Sequence, residues 1–100
     1  MKLLFADSAI NDLMDIKAYY REQVVEQIGD QFVSEIIAHL EVLIEHPEIG
    51  RMVPEFAESD IRELIHPPFR VVYWLDNPQV HVVRVWRSER LLQLPNLNRT

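Results

Sequence analysis

Residues 61–87 are built from three apolar runs rich in valine, isoleucine and aromatic residues. The runs are broken only by Pro67-Pro68 and by Asp76-Asn77-Pro78-Gln79. Such runs bounded by turn residues read as strands near Ile61–His66, Phe69–Leu75 and Val80–Arg87. A sheet of this kind must be covered on at least one face, so the rest of the chain has to supply the cover. If the second turn closes a simple hairpin, Arg70 lies opposite Val85, Val72 opposite Val83 and Trp74 opposite His81. Arg70, His81 and Arg87 then share one face. The other face carries Phe69, Val71, Tyr73, Leu75, Val80, Val82 and Trp86, and is assigned to the core. Around the arginines, Val72, Trp74, Val83 and Val85 make the remaining face too apolar to be left to water, which predicts that a partner covers it.

The first half supplies helices. Lys2 to Ala6 suits a first strand, and Asp7 or Ser8 is positioned to cap the helix that follows. Ala9, Leu13, Ile16 and Tyr20 recur at helical spacing, and a second stripe runs through Phe32, Val33, Ile36, Ile37, Leu40, Leu43 and Ile44, stopping before Pro47. Residues 22–28 contain no clear stop and read equally as connector or helix extension. A single helix of nearly forty residues is too long for a domain this small, which selects two antiparallel helices joined by a tight turn. The region from Pro47 to Arg51 reads as a turn and Glu55 to Asp60 as an acidic connector. The expected fold is α+β, in the order β-α-α-β-β-β, with a two-helix hairpin packed on a twisted antiparallel sheet. Residues 1–100 are expected to form a single domain.

Charge is polarised along the chain. Residues 1–60 hold four basic against thirteen acidic side chains, a net of −9, whereas residues 61–100 hold six arginines against three acids, a net of +3. The overall charge of −6 argues against ordinary non-specific nucleic-acid binding, because a phosphate backbone repels such a molecule at long range. Arginine on a strand is a rigid fork for anions, so Arg70, Arg87 and Arg90 are the candidate target-binding residues. Each also has a structural reading, a salt bridge to the abundant carboxylates, and Arg62, Arg84 and Arg99 are assigned to that class or to solvent.

Other chemistry is poorly represented. The chain has no cysteine, which removes disulfides, thiolate nucleophiles and Cys-ligated metals. His39, His46, His66 and His81 are scattered without a metal-binding spacing, so no metal is expected. Its two glycines cannot build a phosphate-cradling loop, and no cofactor is expected. With neither a signal-peptide core nor a membrane span in the sequence, the expectation is a cytoplasmic protein without a membrane partner.

The phrases Pro47-x-x-Gly50-Arg51-x-Val53-Pro54-Glu55, Arg62-Glu63-Leu64-Ile65, Pro68-Phe69-Arg70-Val71-Val72-Tyr73 and Val85-Trp86-Arg87-x-x-Arg90, in this order, resemble the RelE/ParE superfamily of type II toxins. The resemblance implies a toxin neutralised by a cognate antitoxin, whose segment would lie across Val72, Trp74, Val83, Val85 and Leu91. Operator DNA would be met only through the antitoxin. RelE-like members cut messenger RNA on the ribosome; ParE-like members bind DNA gyrase and poison it. Arg70 and Arg90 match positions where RelE-like enzymes place phosphate-binding arginines. Glu63, however, stands where those enzymes have lysine, Arg87 falls where many relatives carry histidine, and residues 91–97 lack the tyrosine that follows the last arginine. An always-charged arginine is also a poor proton shuttle for 2′-hydroxyl attack. The resemblance therefore favours a gyrase inhibitor that is not itself an enzyme. The alternatives are an endoribonuclease using Arg70, Arg87 and Arg90 with ribosome and mRNA as its targets, or a non-toxic antitoxin-binding relative.

Overall fold

The computed structural model of the protein describes residues 1–88. Strand β1 (Lys2–Phe5) leads into helix α1 (Asp7–Glu22), helix α2 (Glu26–Leu40) and the single turn α3 (Val42–Glu45). Strands β2 (Arg51–Met52), β3 (Ile61–His66), β4 (Phe69–Asp76) and β5 (Gln79–Arg87) follow. The five strands form one sheet in the order β1-β5-β4-β3-β2. The α+β order is as expected, and the short β2 was hidden in what reads as loop.

The sheet is mixed rather than antiparallel throughout, because β1 pairs parallel to β5, with Leu3 beside Val80 and Phe5 beside Val82. Parallel pairing requires a crossover, and the helices provide it on one face of the sheet. They bury Ala9, Leu13 and Ile16 of α1 and Val33, Ile36 and Leu40 of α2 against Leu64, Phe69, Val71, Tyr73, Val80, Val82 and Val85. Tyr20, Phe32 and Phe69 pack in sequence, tilted and then edge-to-face, with centroids 5.5 and 5.2 Å apart, and carry the core across the helix–sheet boundary.

Neither expected cap forms. Ala6 occupies the N-cap position of α1 without a side-chain hydrogen bond, and Asp7 already lies in the first turn, where its charge complements the helix dipole. The Ser8 hydroxyl instead donates to the Val83 carbonyl at 2.6 Å, tying the helix start to β5. The helical hairpin turns at Gln23, Val24 and Val25. Val24 takes up φ 60°, a left-handed conformation unfavourable for a β-branched residue. Close approach of the helices is set by Gly29, where an added Cβ would lie 3.0 Å from Tyr20 Cβ and 3.2 Å from Lys17 Cα. The second apolar stripe is split, since α2 ends at Leu40 and α3 restarts at Val42 before Pro47.

Beyond Pro47 the chain is pinned to the sheet by Tyr73. Its fully buried hydroxyl donates to the Pro47 carbonyl at 2.8 Å and accepts from the Gly50 N–H at 2.9 Å. Burial pushes the phenol pKa up, which keeps it in the neutral form that can donate.

Candidate functional site

The β4–β5 register decides which side chains share a face. Trp74 lies opposite His81, as a simple hairpin requires, but a bulge between Val72 and Tyr73 leaves Val83 without a partner. Beyond it Val72 faces Arg84, Val71 faces Val85, Arg70 faces Trp86 and Phe69 faces Arg87. Because side chains alternate with period two, the extra residue reverses the faces of the rest of β5. Three expectations are corrected here. Val85 belongs to the core beneath the helices. Trp86 lies opposite Arg70 on the other face. Arg87 does not share a face with Arg70 but sits on the helix side beside Phe69.

On the outer face, the side away from the helices, β3 and β4 bring Glu63 and Arg70 together. Arg70 is 4% exposed and Glu63 is 1% exposed. Arg70 Nε donates to Glu63 Oε1 at 2.6 Å, and the other carboxylate oxygen accepts from Arg51 Nε at 2.6 Å. The two remaining nitrogens of Arg70 clasp Glu55 at 3.0 and 3.1 Å, so the loop after β2 folds back over the sheet. Two arginines and two carboxylates thus cancel. The hydrogen bonds from Arg70 hold Glu55 below its usual carboxylate range despite the opposing effect of burial. Burial alone would lower the Arg70 pKa, but the hydrogen bonds and charges of Glu55 and Glu63 outweigh it and raise the pKa.

Arg87 meets different chemistry. One of its terminal nitrogens donates to the Tyr20 hydroxyl at 2.8 Å, and its guanidinium carbon lies 5.4 Å from the Phe69 ring centroid and 5.6 Å from that of Tyr19. Arg84, assigned from the sequence to pairing or solvent, forms a bidentate pair with Asp12 at 2.8 and 3.2 Å, and Asp12 also accepts from the Val85 N–H. The carboxylate of α1 thus closes the β5 edge beyond the end of β1. Arg62 donates to the carbonyls of Ser59, Glu48 and Gly50.

Of the residues expected at a partner surface, Trp74 is 40% exposed, Val83 is half-buried at the bulge, and Val72 is buried. Trp74 stacks on His81 with centroids 5.1 Å apart, and its indole N–H donates to Asp60 at 3.3 Å. Ile65 is exposed on the same outer face, at 41%. Arg90 and Leu91 lie outside the described residues. Sequence reasoning missed Arg51 and Glu55 as partners of the central arginine and Tyr20 as the acceptor for Arg87. Its one usable signal was the excess of carboxylates, which does not say which of them reaches Arg70. Among the described residues no three His, Asp or Glu side chains gather as a metal site, and no helix is long and apolar enough to cross a membrane.

Comparison with known proteins places this architecture. A solved structure, "Chromosomal ParDE TA system from P. aeruginosa", contains a chain that superposes with a TM-score of 0.71 at 22% sequence identity, covering 87% of this chain and 95% of that one. That likeness establishes the fold. Comparison with curated proteins gives no significant match. The sequence model described as the ParE toxin of type II toxin-antitoxin system, parDE, matches residues 3–92, nearly the whole chain. By its sequence and its fold, the chain belongs to the ParE toxin family of type II toxin–antitoxin systems.

Proposed function

We propose that this ParE-family protein is neutralised by a cognate antitoxin and acts, when released, as a protein inhibitor of DNA gyrase rather than as an endoribonuclease. The observation that carries the choice is the state of Arg70. A nuclease of this architecture would need that cation free to stabilise charge building on a phosphate, whereas here all three guanidinium nitrogens are engaged by Glu63 and Glu55. Arg87, on the other side of the sheet, does not converge with Arg70 on a common anion. Inhibition by binding requires only a surface. Support for an antitoxin partner comes from Trp74 and Ile65, large apolar side chains left exposed on the outer face.

The test pairs two assays on purified protein. Gyrase supercoiling should be inhibited and restored by the antitoxin, while toeprints on translating ribosomes should remain intact. Codon-positioned cuts in ribosome-bound messages, lost on Arg70→Ala, would place the protein with the endoribonucleases instead.

A further inference from the structure

His39 and His66 are separated by 26 residues in the chain and carry no recognisable motif, yet the fold sets their Nδ1 atoms 3.0 Å apart. His39 lies in the last turn of α2, and His66 is the last residue of β3. The ring centroids are 5.2 Å apart, close to the sum of the Nδ1 separation and about 1.1 Å from each nitrogen to its ring centre. The two nitrogens therefore point nearly head-on. That is the geometry of an N–H···N hydrogen bond, in which one ring donates and the other offers a lone pair.

We propose that His39 and His66 form a one-proton clamp that fastens α2 to the β3–β4 turn and opens on acidification, loosening the end of the molecule that holds Arg87. The argument follows the protons. With both rings neutral, one Nδ1–H donates to the other Nδ1. Adding one proton leaves an imidazolium donating to a neutral ring, and the clamp persists with charge assistance. Adding the second leaves two donors and two positive charges face to face, with no acceptor between them, and the clamp fails. The charges that act on His66 match this sequence. Burial and the neighbouring His39 both lower its pKa, while Glu35, one turn before His39 on α2, opposes them. Gln31 donates to Glu35 at 3.3 Å, keeping that carboxylate on the same face of the helix.

The location gives the clamp its consequence. In the β3–β4 ladder His66 pairs with Phe69. Phe69 meets Phe32 of α2 edge-to-face and lies beneath the Arg87 guanidinium. Opening the clamp removes a polar tie between the helix and the strand end on which that aromatic run depends. Unfolded histidines titrate near 6.5, and the folded value for His66 is lowered. The clamp's contribution is therefore complete above about pH 6.5 and is lost as pH falls below that value toward the folded pKa.

The experiment is a proton NMR titration of the histidine rings in the full-length protein and in His39→Gln, His66→Gln and His46→Gln, with thermal unfolding of each at pH 8 and pH 5. In the unaltered chain His66 should titrate below the ordinary histidine value of about 6.5. In His39→Gln it should move up toward the ordinary value, and the drop in melting temperature between pH 8 and pH 5 should shrink in both clamp variants but persist in His46→Gln. At pH 8 either clamp variant should weaken the folding equilibrium about threefold to tenfold, as for loss of one hydrogen bond. The proposal is overturned if His66 titrates identically with and without His39, or if the pH-dependent loss of stability survives both substitutions.

Discussion

The two faces of the sheet are closed by opposite means. Beneath the helices, Phe69, Val71, Tyr73, Val80, Val82 and Val85 pack against apolar stripes of α1 and α2, and burial there needs only shape and hydrophobicity. On the outer face Arg70 and Glu63 are buried as completely as core residues, but with charges intact and matched by Arg51 and Glu55. Equal burial thus arises from non-directional packing on one side and from fixed pairwise geometry on the other. The second kind is brittle at its centre, because removing Arg70 or Glu63 leaves the other charged and dry with part of its hydrogen bonding lost.

Two truncations at neighbouring positions of β4 test that contrast most severely. Phe69→Ala should destabilise by about 3–5 kcal/mol by opening a cavity between α2 and the sheet. Arg70→Ala should cost about 3 kcal/mol by leaving the buried Glu63 with Arg51 alone and Glu55 without its clasp, far above the ~1 kcal/mol ceiling for exposed ion pairs. Chemical denaturation of both variants reads the difference. A loss below 1 kcal/mol for Arg70→Ala would show that its partners relax into solvent.

A smaller effect separates the faces by pH. Glu55 is held below its ordinary value of 4.5, so it stabilises the fold above that pH and the contribution is lost as pH falls through its lowered folded value. Glu55→Gln should lower stability by about 2 kcal/mol at pH 7, the scale of a hydrogen bond to a charged group. It should also flatten the stability profile below pH 4.5, where the effect of Phe69→Ala should stay unchanged. Parallel acid-unfolding curves for Glu55→Gln and the unaltered protein would show that the Arg70–Glu55 pair does not contribute in solution.

The smallest expected change lies outside both faces. Val24 holds a left-handed conformation at the hairpin turn and is almost fully exposed, so Val24→Gly should raise stability by about 1 kcal/mol through relief of that strain. Thermal unfolding checks the sign, and a loss of stability would mean that the gain in unfolded-chain freedom outweighs the strain.

Legibility differed sharply between elements and contacts. The periodicity of Ala9, Leu13 and Ile16 and of Val33, Ile36 and Leu40 located the helix faces, and Pro67-Pro68 and Asn77-Pro78 bounded the strands, because these signals act within a few residues. The β2 strand escaped notice because two residues carry no period. The parallel pairing of β1 was equally hidden, since strand direction is fixed by the crossover and not by the strand's own composition.

What the sequence determined by itself was the two main helices and the longer strands, the apolar side of each helix, the polarity of charge along the chain and the resemblance that the ParE family match confirms. Only the tertiary structure decided which arginine meets which acid. One unpaired residue, Val83, reverses the faces of β5 beyond it, carrying Arg87 to the helices and Val85 into the core. Arg70 is neutralised by a carboxylate fifteen positions away, and His39 meets His66 across twenty-seven. Periodicity reports which side of an element is apolar because its neighbours in sequence share that environment. Ion pairs and hydrogen bonds are short-ranged in space and unconstrained in sequence separation, so only the folded chain brings their members together.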